Sequence, residues 1–580
     1  MKSDSLSTQI SATNQHLSVI AWTTTAMLLG FLCLTQLGVL LCCLTSHDAL
    51  PFVVPVAFVA ALIIGDQLGQ RQGLGARLRL WPLGLAVSLT VLSIAVSAVF
   101  YDLSWDGQWY HQVGIYRIAQ GWNPLKEPME AFARHNQLWV RHYAKGPWYV
   151  GAALMALFHH IEWGKFVTWI TLDAAFMAVF AACLDAGMRR SRAIALGAVV
   201  ALNPVVTSEI ISYLVDGLMV SFLVCYTAAL FSGFRRANPL IVFVGTAAAI
   251  CSINSKFTGL IFLCFICAGA GLYCLIKRRD ILLRFIGLNL TAIFLGTVVF
   301  GYNPYVTNTI HRSQPFYPIL GSKDFPSLAE QDDDGIEKYE TPHNMMGRNR
   351  LIRFGYAIFG RPGAQPFNDG PDARLMWPFL VPLKDFALYR FHEIRIAGFG
   401  PFFSGILLLS LILTGWLLFN STSPRLLICL SYIFLTASLL ISIHTWWARY
   451  GPQMWLLPIV PIVVIFWNSR SRIQTNLAWG LIGIILVNAL IVAAIRLNWE
   501  VKSTQTLNQQ LVEMRDSGKK IEIDMQWFGE PVGERLKTWG IPYQTVGRNM
   551  IQDGKELISV VADYPGGIHY RIMTESEPAQ

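Results

Sequence analysis

The sequence predicts an all-α polytopic membrane protein of about 13 transmembrane helices, with large outer loops and a small C-terminal α/β domain. Three observations lead there. Of the 580 residues, 54% are hydrophobic and only 14% are charged, where a soluble domain carries roughly 25% charged residues. Apolar runs near the bilayer-crossing length of about 20 residues recur along the chain. Basic residues gather at alternate ends of those runs, as they do at cytoplasmic turns. The chain divides into a transmembrane part, 1–498, with outer loops 101–164 and 302–398, and an extracytoplasmic domain, 499–580.

Taken in order, the spans fall near 18–45, 50–66, 81–100, 165–187, 193–212, 216–233, 239–254, 258–276, 282–301, 399–419, 426–444, 453–468 and 477–497. The first run exceeds a signal-peptide core and shows no cleavage pattern, so it reads as a retained helix. Arg71, Arg77 and Arg79 follow the second span, and Arg189, Arg190 and Arg192 the fourth. Arg235 and Arg236 follow the sixth, Lys277, Arg278 and Arg279 the eighth, Arg425 the tenth, and Arg470 and Arg472 the twelfth. A cytoplasmic N-terminus and an outer tail satisfy every cluster. The stretch "PWYVGAALMALFHH", 147–160, is apolar but short. As a span it would put the later arginines outside, so it is expected to lie in the outer interface.

In the tail, "KKIEIDMQWF" alternates like a strand, "PVGERLKTWG" reads as a short helix and "ELISVVADY" as a second strand. All ten cysteines sit in apolar runs, so no disulfide framework is expected. Cys264 and Cys267 make a C-x-x-C that reads as packing rather than redox chemistry. Lys and Arg outnumber Asp and Glu by 45 to 36, an orientation signal rather than a nucleic-acid surface. No nucleic-acid partner is expected.

The chemistry points to the outer side. "YDLSWDGQWYHQ", 101–112, ends the third span with Asp102 and Asp106 among large aromatics. The rings Tyr101, Trp105, Trp109 and Tyr110 read as a headgroup-level belt. One aspartate serves as a helix cap on the plainest reading, which leaves the other to act as a general base at the membrane edge. "RHYAKGPW" adds Arg141, His142 and Lys145. "NPVVTSEIISYLVDG" adds Glu209 and Asp216, "NSKFTG" adds Lys256, and "HTWWARYGP" adds His444 and Arg449. Singly, each cation suits a snorkelling anchor. Together they suit a phosphate, which Lys and Arg donors grip. A sugar on a lipid phosphate fits such a site: a carboxylate deprotonates an acceptor hydroxyl, the phosphate departs, and the cations stabilise it.

This layout resembles the C-type fold of membrane glycosyltransferases, which includes protein O-mannosyltransferases and lipid A aminoarabinose transferases. "YDLSWDGQWYHQ" is similar to the family's early acidic motif, "HQVGIYRIAQGWNP" to its interfacial helix, and "HYAKGPW" to the start of its next helix. "NSKFTGL" and "WWARYGPQMWLLP" are similar to its Lys- and Arg-containing turns. The resemblance covers about 80–310 and 400–470. Two spans precede the one that carries the acids here, whereas many relatives have the acids after the first, and "HYAKGPW" has one proline where relatives often have two. The resemblance implies an inverting transferase in a bacterial inner (plasma) membrane. Its donor would be a polyprenyl-phosphate sugar and its acceptor a glycan, lipid or protein hydroxyl. It implies Asp106 as base with Asp102 second, Lys256 and Arg449 on the phosphate, and help from Lys145 and His142. His111, Glu209, Asp216 and His444 are candidates to bind or orient the acceptor. Some relatives need a divalent cation and others do not, so the cofactor stays open and no metal ligands are assigned.

Three other classes compete: a glycan polymerase or ligase, a transporter or flippase of lipid-linked glycans, and a non-enzymatic assembly partner acting through the outer tail. Transporters place ionisable groups near the bilayer midplane and carry repeats, whereas here the charges fall in turns. "QDDDG", with Asp332 to Asp334, reads as a solvated loop rather than a cation site. Asn303-Pro304 reads as a turn. Asp173 lies inside a span and is a functional candidate by position.

Overall fold

The computed structural model describes residues 2–126, 136–236, 238–331, 341–363, 372–419, 424–442, 444–469, 471–558 and 567–573. Among the described residues, eight helices are long and apolar enough to cross a membrane. They are Thr13–Leu44, His47–Arg71, Ala76–Val99, Ile161–Asp185, Asp216–Gly233, Phe257–Lys277, Arg279–Val299 and Arg472–Asp516. The protein is therefore a multi-pass, largely helical membrane protein. Four shorter apolar helices, Pro239–Ile253, Phe403–Phe419, Arg425–Leu439 and Pro452–Asn468, stand where further spans are expected. The expected span 193–212 is broken instead into Arg190–Ala201 and Pro204–Glu209. The cause is local: Asn203 accepts a hydrogen bond from the Val205 N–H at 3.1 Å and caps a new helix. Pro204 at its first position has no N–H with which to continue the old one.

Close packing of the first two helices rests on small residues. A Cβ on Gly65 would come within 2.4 Å of Met27 Cγ, and one on Gly69 within 2.7 Å of Thr23 Oγ1. Small residues allow such approach where the hydrophobic effect between helices is weak. The first helix is also tied to the fourth long one, since Trp22 Nε1 donates to Asp185 at 2.8 Å. Outward faces carry Phe52, Val56, Trp81 and Leu283, all exposed, as a lipid-facing surface requires.

The helix Gly146–Phe158 departs from expectation. Every residue from Gly146 to Leu154 is buried. It packs among the first two long helices and the helix Gln112–Ala119. An interfacial helix has one polar face, and this one is apolar all round, which suits burial. Protein rather than an interface covers it.

The last long helix, Arg472–Asp516, has 45 residues and is about 68 Å long at 1.5 Å per residue. It therefore runs straight through the 498/499 boundary into the tail domain. Its end residues Leu507, Leu511 and Met514 join that domain's core. The tail holds β1 (Ile521–Asp524), a helix Gly529–Thr538, β2 (Tyr543–Thr545), β3 (Lys555–Leu557) and β4 (Ile568–Ile572). The sheet order is β2-β1-β4-β3. β1 and β2 are parallel, with Ile521 opposite Tyr543. β1 runs antiparallel to β4 with Ile521 opposite Ile572, and β3 antiparallel to β4 with Leu557 opposite Ile568. The expected first strand and helix are present. The second expected strand appears as β3, and the rest of "ELISVVADY" lies outside the described residues.

The tail docks on the acidic loop. Tyr101 and Leu103 enter the same core as Ile521, Val532 and Tyr570, and Trp105 meets Phe528 edge-on at 4.9 Å. These aromatics thus face protein, and the lipid-headgroup belt expected for them is replaced by a domain interface. Beneath them lies a buried ion cluster. Glu162 pairs with Lys165 at 2.6 Å and Arg535 at 3.4 Å, and it accepts the Asp102 N–H at 3.0 Å. At the rim Arg117 pairs with Glu530 at 2.7 Å, more exposed.

Burial decides the worth of these pairs. Lys165→Met leaves Glu162 short of one partner in a dry site and is expected to cost about 3–5 kcal/mol. Arg117→Ala is expected to cost less than about 1 kcal/mol. Unfolding of both variants in detergent, followed by tryptophan fluorescence, checks that ranking.

Candidate active site

The site begins with a cap. Ser104 Oγ accepts the Gly107 N–H at 3.2 Å, three residues into the next helix, as an N-cap should. Ser104 therefore does the work expected of an aspartate. Asp102 is fully buried, and its carboxylate is taken up by its own loop and by one distant backbone N–H. Its Oδ1 accepts the Ser104 N–H and hydroxyl at 2.8 and 2.7 Å, and its Oδ2 accepts the Tyr213 N–H at 2.9 Å. Gly107 permits this, since a Cβ there would sit 2.0 Å from Asp102 Oδ2. Burial pushes the Asp102 carboxyl up, although Lys165 and Ser104 oppose it. Asp102 shapes the loop.

Asp106 takes the other role. It starts a π-helical turn, Gly107–His111, with no side-chain cap of its own. Its carboxylate meets Arg449 at 2.8 Å. Burial alone would raise this carboxyl, but Arg449, with help from Lys256, outweighs it and holds it below the usual range. Arg449 comes from a short turn, Ala448–Tyr450, and also pairs with Glu393 at 3.0 Å. Its guanidinium stacks on Trp447 at 4.3 Å and Tyr450 at 5.2 Å.

Lys256 stands beside them. Its Nζ lies 4.7 Å from the centre of the same Tyr450 ring and donates to Asp216 at 2.7 Å. The residue is extended, immediately before the helix Phe257–Lys277. Asp216 begins the helix Asp216–Gly233. Glu209 is buried and accepts the Gly217 N–H at 2.6 Å, which fixes the start of that helix. Both acids are thus placed against helix ends, Asp216 against the lysine and Glu209 against the backbone.

His111 sits one turn after Asp106. Burial drives its pKa down to about 3; Asp106 opposes this, while Lys256 and Arg449 add to it. The ring lies 4.3 Å from Tyr110 and edge-on to Tyr143 at 5.2 Å. His444 lies 5.5 Å from Tyr450, the ring that Lys256 and Arg449 share.

Two expected phosphate ligands are engaged elsewhere. Lys145 is fully buried, and its Nζ donates to the carbonyls of Arg141 and Tyr143 at 2.9 and 3.0 Å. Burial lowers its pKa well below the usual ammonium range. It stacks between Trp122 and Trp148. His142 Nδ1 bonds Asn308 Oδ1 at 2.6 Å, and burial lowers its pKa to about 3. A neutral ring is no cationic clamp. Among the described residues, no ion pair or hydrogen bond joins either side chain to Asp106, Lys256 or Arg449.

Glu393 was missed by sequence reading. It lies in "FHEIRIAGFG" at the end of loop 302–398, where the only signal is an acid and a base, Glu393 and Arg395, between apolar residues. Arg395 stacks on Trp447 at 3.9 Å. Among the described residues there is no group of three His, Cys, Asp or Glu side chains set to hold a metal, and Asp332 to Asp334 lie outside them. No protein-family model matches the chain, and no curated protein matches it.

The pairing makes a signed prediction. In Arg449→Met, Asp106 keeps its burial but loses its nearest cation, so its carboxyl moves up toward the neutral form. Infrared difference spectra should gain a protonated-carboxyl band at a pH where the native protein has none. Asp106→Asn in the same background should remove it.

Proposed function

We propose that this protein is an inverting glycosyltransferase with the architecture of the C-type membrane glycosyltransferases. It moves a sugar from a polyprenyl-phosphate donor to an acceptor hydroxyl. The observation that supports this most is the 2.8 Å contact of Asp106 with Arg449, beside Lys256 on the shared Tyr450 ring. An acid from the first loop and cations from two distant turns share one location.

The chemistry follows from that set. Asp106 is ionised at neutral pH, so it accepts the acceptor's proton as the new bond to the anomeric carbon forms. The bond from that carbon to the lipid-phosphate oxygen breaks, and the phosphate leaves with the electron pair. Arg449 and Lys256 stabilise the charge it gains. One displacement inverts the anomeric centre. The acceptor is a glycan, lipid or protein hydroxyl.

Where the charges sit favours this reading over a transporter or flippase. Asp106, Asp216, Lys256 and Arg449 all stand at helix ends or in turns, whereas transporters use unwound helices at the midplane. A polymerase or ligase would use the same donor, and only the acceptor separates it. We place the protein in a bacterial inner membrane, with thirteen crossings, a cytoplasmic N-terminus and the site and tail outside.

In vesicles with a radiolabelled polyprenyl-phosphate sugar, Asp106→Asn should lower transfer by about a hundredfold to ten-thousandfold while donor binding persists. Lys256→Ala and Arg449→Ala should weaken donor binding by about tenfold or more. Normal binding by both would end the phosphate assignment. Orientation has a separate check on a variant lacking the native cysteines. A cysteine near Lys277 should resist an impermeant thiol reagent in intact cells, and one replacing Lys519 should react.

A further inference from the structure

The two ring nitrogens of His111 have different surroundings. Trp148 Nε1 lies 2.8 Å from His111 Nδ1. An indole nitrogen can only donate, so Nδ1 accepts and carries no proton. Burial keeps the ring neutral, and a neutral imidazole with a bare Nδ1 carries its proton on Nε2. That Nε2–H is buried, and among the described residues it has no hydrogen-bond partner. Buried donors are nearly always paired, so an unpaired one calls for an explanation.

The surroundings supply one. The side chain is 1% exposed, and Tyr110, Tyr143 and Trp148 hold the ring from three sides. The charges that bear on it are Asp106, Lys256 and Arg449, the same three that form the candidate site. Arg449 Nε is a second buried donor without a partner among the described residues. The ring grows from a π-helical turn, a distortion that recurs at functional sites.

We propose that His111 is a neutral hydrogen-bond donor, through Nε2–H, to a phosphate oxygen bound beside Asp106, Lys256 and Arg449. This rests on the transferase reading and deepens it. A neutral donor adds a bond to the departing phosphate without a third cation that would compete for Asp106. Trp148 acts through the ring: its N–H fixes the tautomer and aims the proton, which makes it a positioning residue. The phosphate is either lipid-linked or free, and the test separates the two.

Farnesyl phosphate, farnesol and inorganic phosphate are titrated calorimetrically against the full-length protein in nanodiscs. The native protein should bind farnesyl phosphate. His111→Leu should weaken that binding by about tenfold or more, the worth of one bond to a charged group. His111→Gln, which keeps an N–H, should lose less than about threefold. Farnesol binding should not respond to either change. If inorganic phosphate binds with the same dependence on His111 and farnesyl phosphate does not bind, the donor role stands and the lipid-linked substrate falls. If His111→Leu binds farnesyl phosphate as well as the native protein does, the donor role falls and the transferase reading survives. If the native protein binds neither phosphate, both fall.

Should His111→Leu not fold, nitrogen-15 spectra of histidine-labelled native protein decide. A protonated Nε2 whose proton shifts downfield with farnesyl phosphate supports the proposal. A proton on Nδ1, or an Nε2–H that the phosphate leaves unmoved, overturns it.

Discussion

Arg449 sets the terms for the rest of the site. It is 7% exposed, and a guanidinium cannot shed its proton to escape burial. It must therefore be paired, and its partners come from far away. Asp106 is 343 residues earlier, and Glu393 lies at the end of the long loop 302–398. The first loop, the long loop and the late turn are thus obliged to meet. Trp447 and Tyr450 cover the guanidinium where the carboxylates do not. Loss of either carboxylate would leave a buried cation half compensated, which is far costlier than a broken surface pair.

A second ionic knot holds the loop from beneath. Glu162 takes the Asp102 backbone N–H on the oxygen that also meets Lys165, while Arg535 reaches it from the tail. Asp102 in turn bridges to Tyr213. The loop is fixed at Asp102 and free to present its next acid at Asp106. Two aspartates four residues apart therefore divide structure from chemistry, and Ser104 makes the division by taking over the cap. The tail belongs to this arrangement, because its helix supplies Arg535 and its core includes Tyr101 and Leu103.

Span length and charge alternation are local properties, so most of the helical frame was legible. Twelve of the expected spans have a helix close to the expected position; only 193–212 is split, by the Asn203 cap. Surroundings were less legible. The helix Gly146–Phe158 reads as apolar whether lipid or protein covers it, and the rings of "YDLSWDGQWY" would look the same at a headgroup boundary and at a domain interface. In the site, Asp106, Lys256 and Arg449 came from one rule, charge at a helix end. The same rule picked Lys145 and His142, which turn out to serve carbonyls and Asn308. Competition from nearby backbone oxygens has no sequence signature. Glu393 sits in a segment without periodicity, so nothing marked it before its partner was known.

Charge and donor capacity separate in this pocket. Arg449 and Lys256 face Asp106, Glu393 and Asp216, so the cations are already balanced by acids. A bare anion gains little net attraction there. Donors are another matter. Arg449 has five N–H groups and Lys256 three. Arg449 meets both carboxylates through Nη1 and, among the described residues, has no partner at Nε, while Lys256 gives a bond to Asp216. A ligand whose negative charge is spread over several oxygens can share these donors without separating any acid from its cation. Asp106 then stays ionised beside Arg449 while the ligand is held, which is the state in which a carboxylate can still accept a proton.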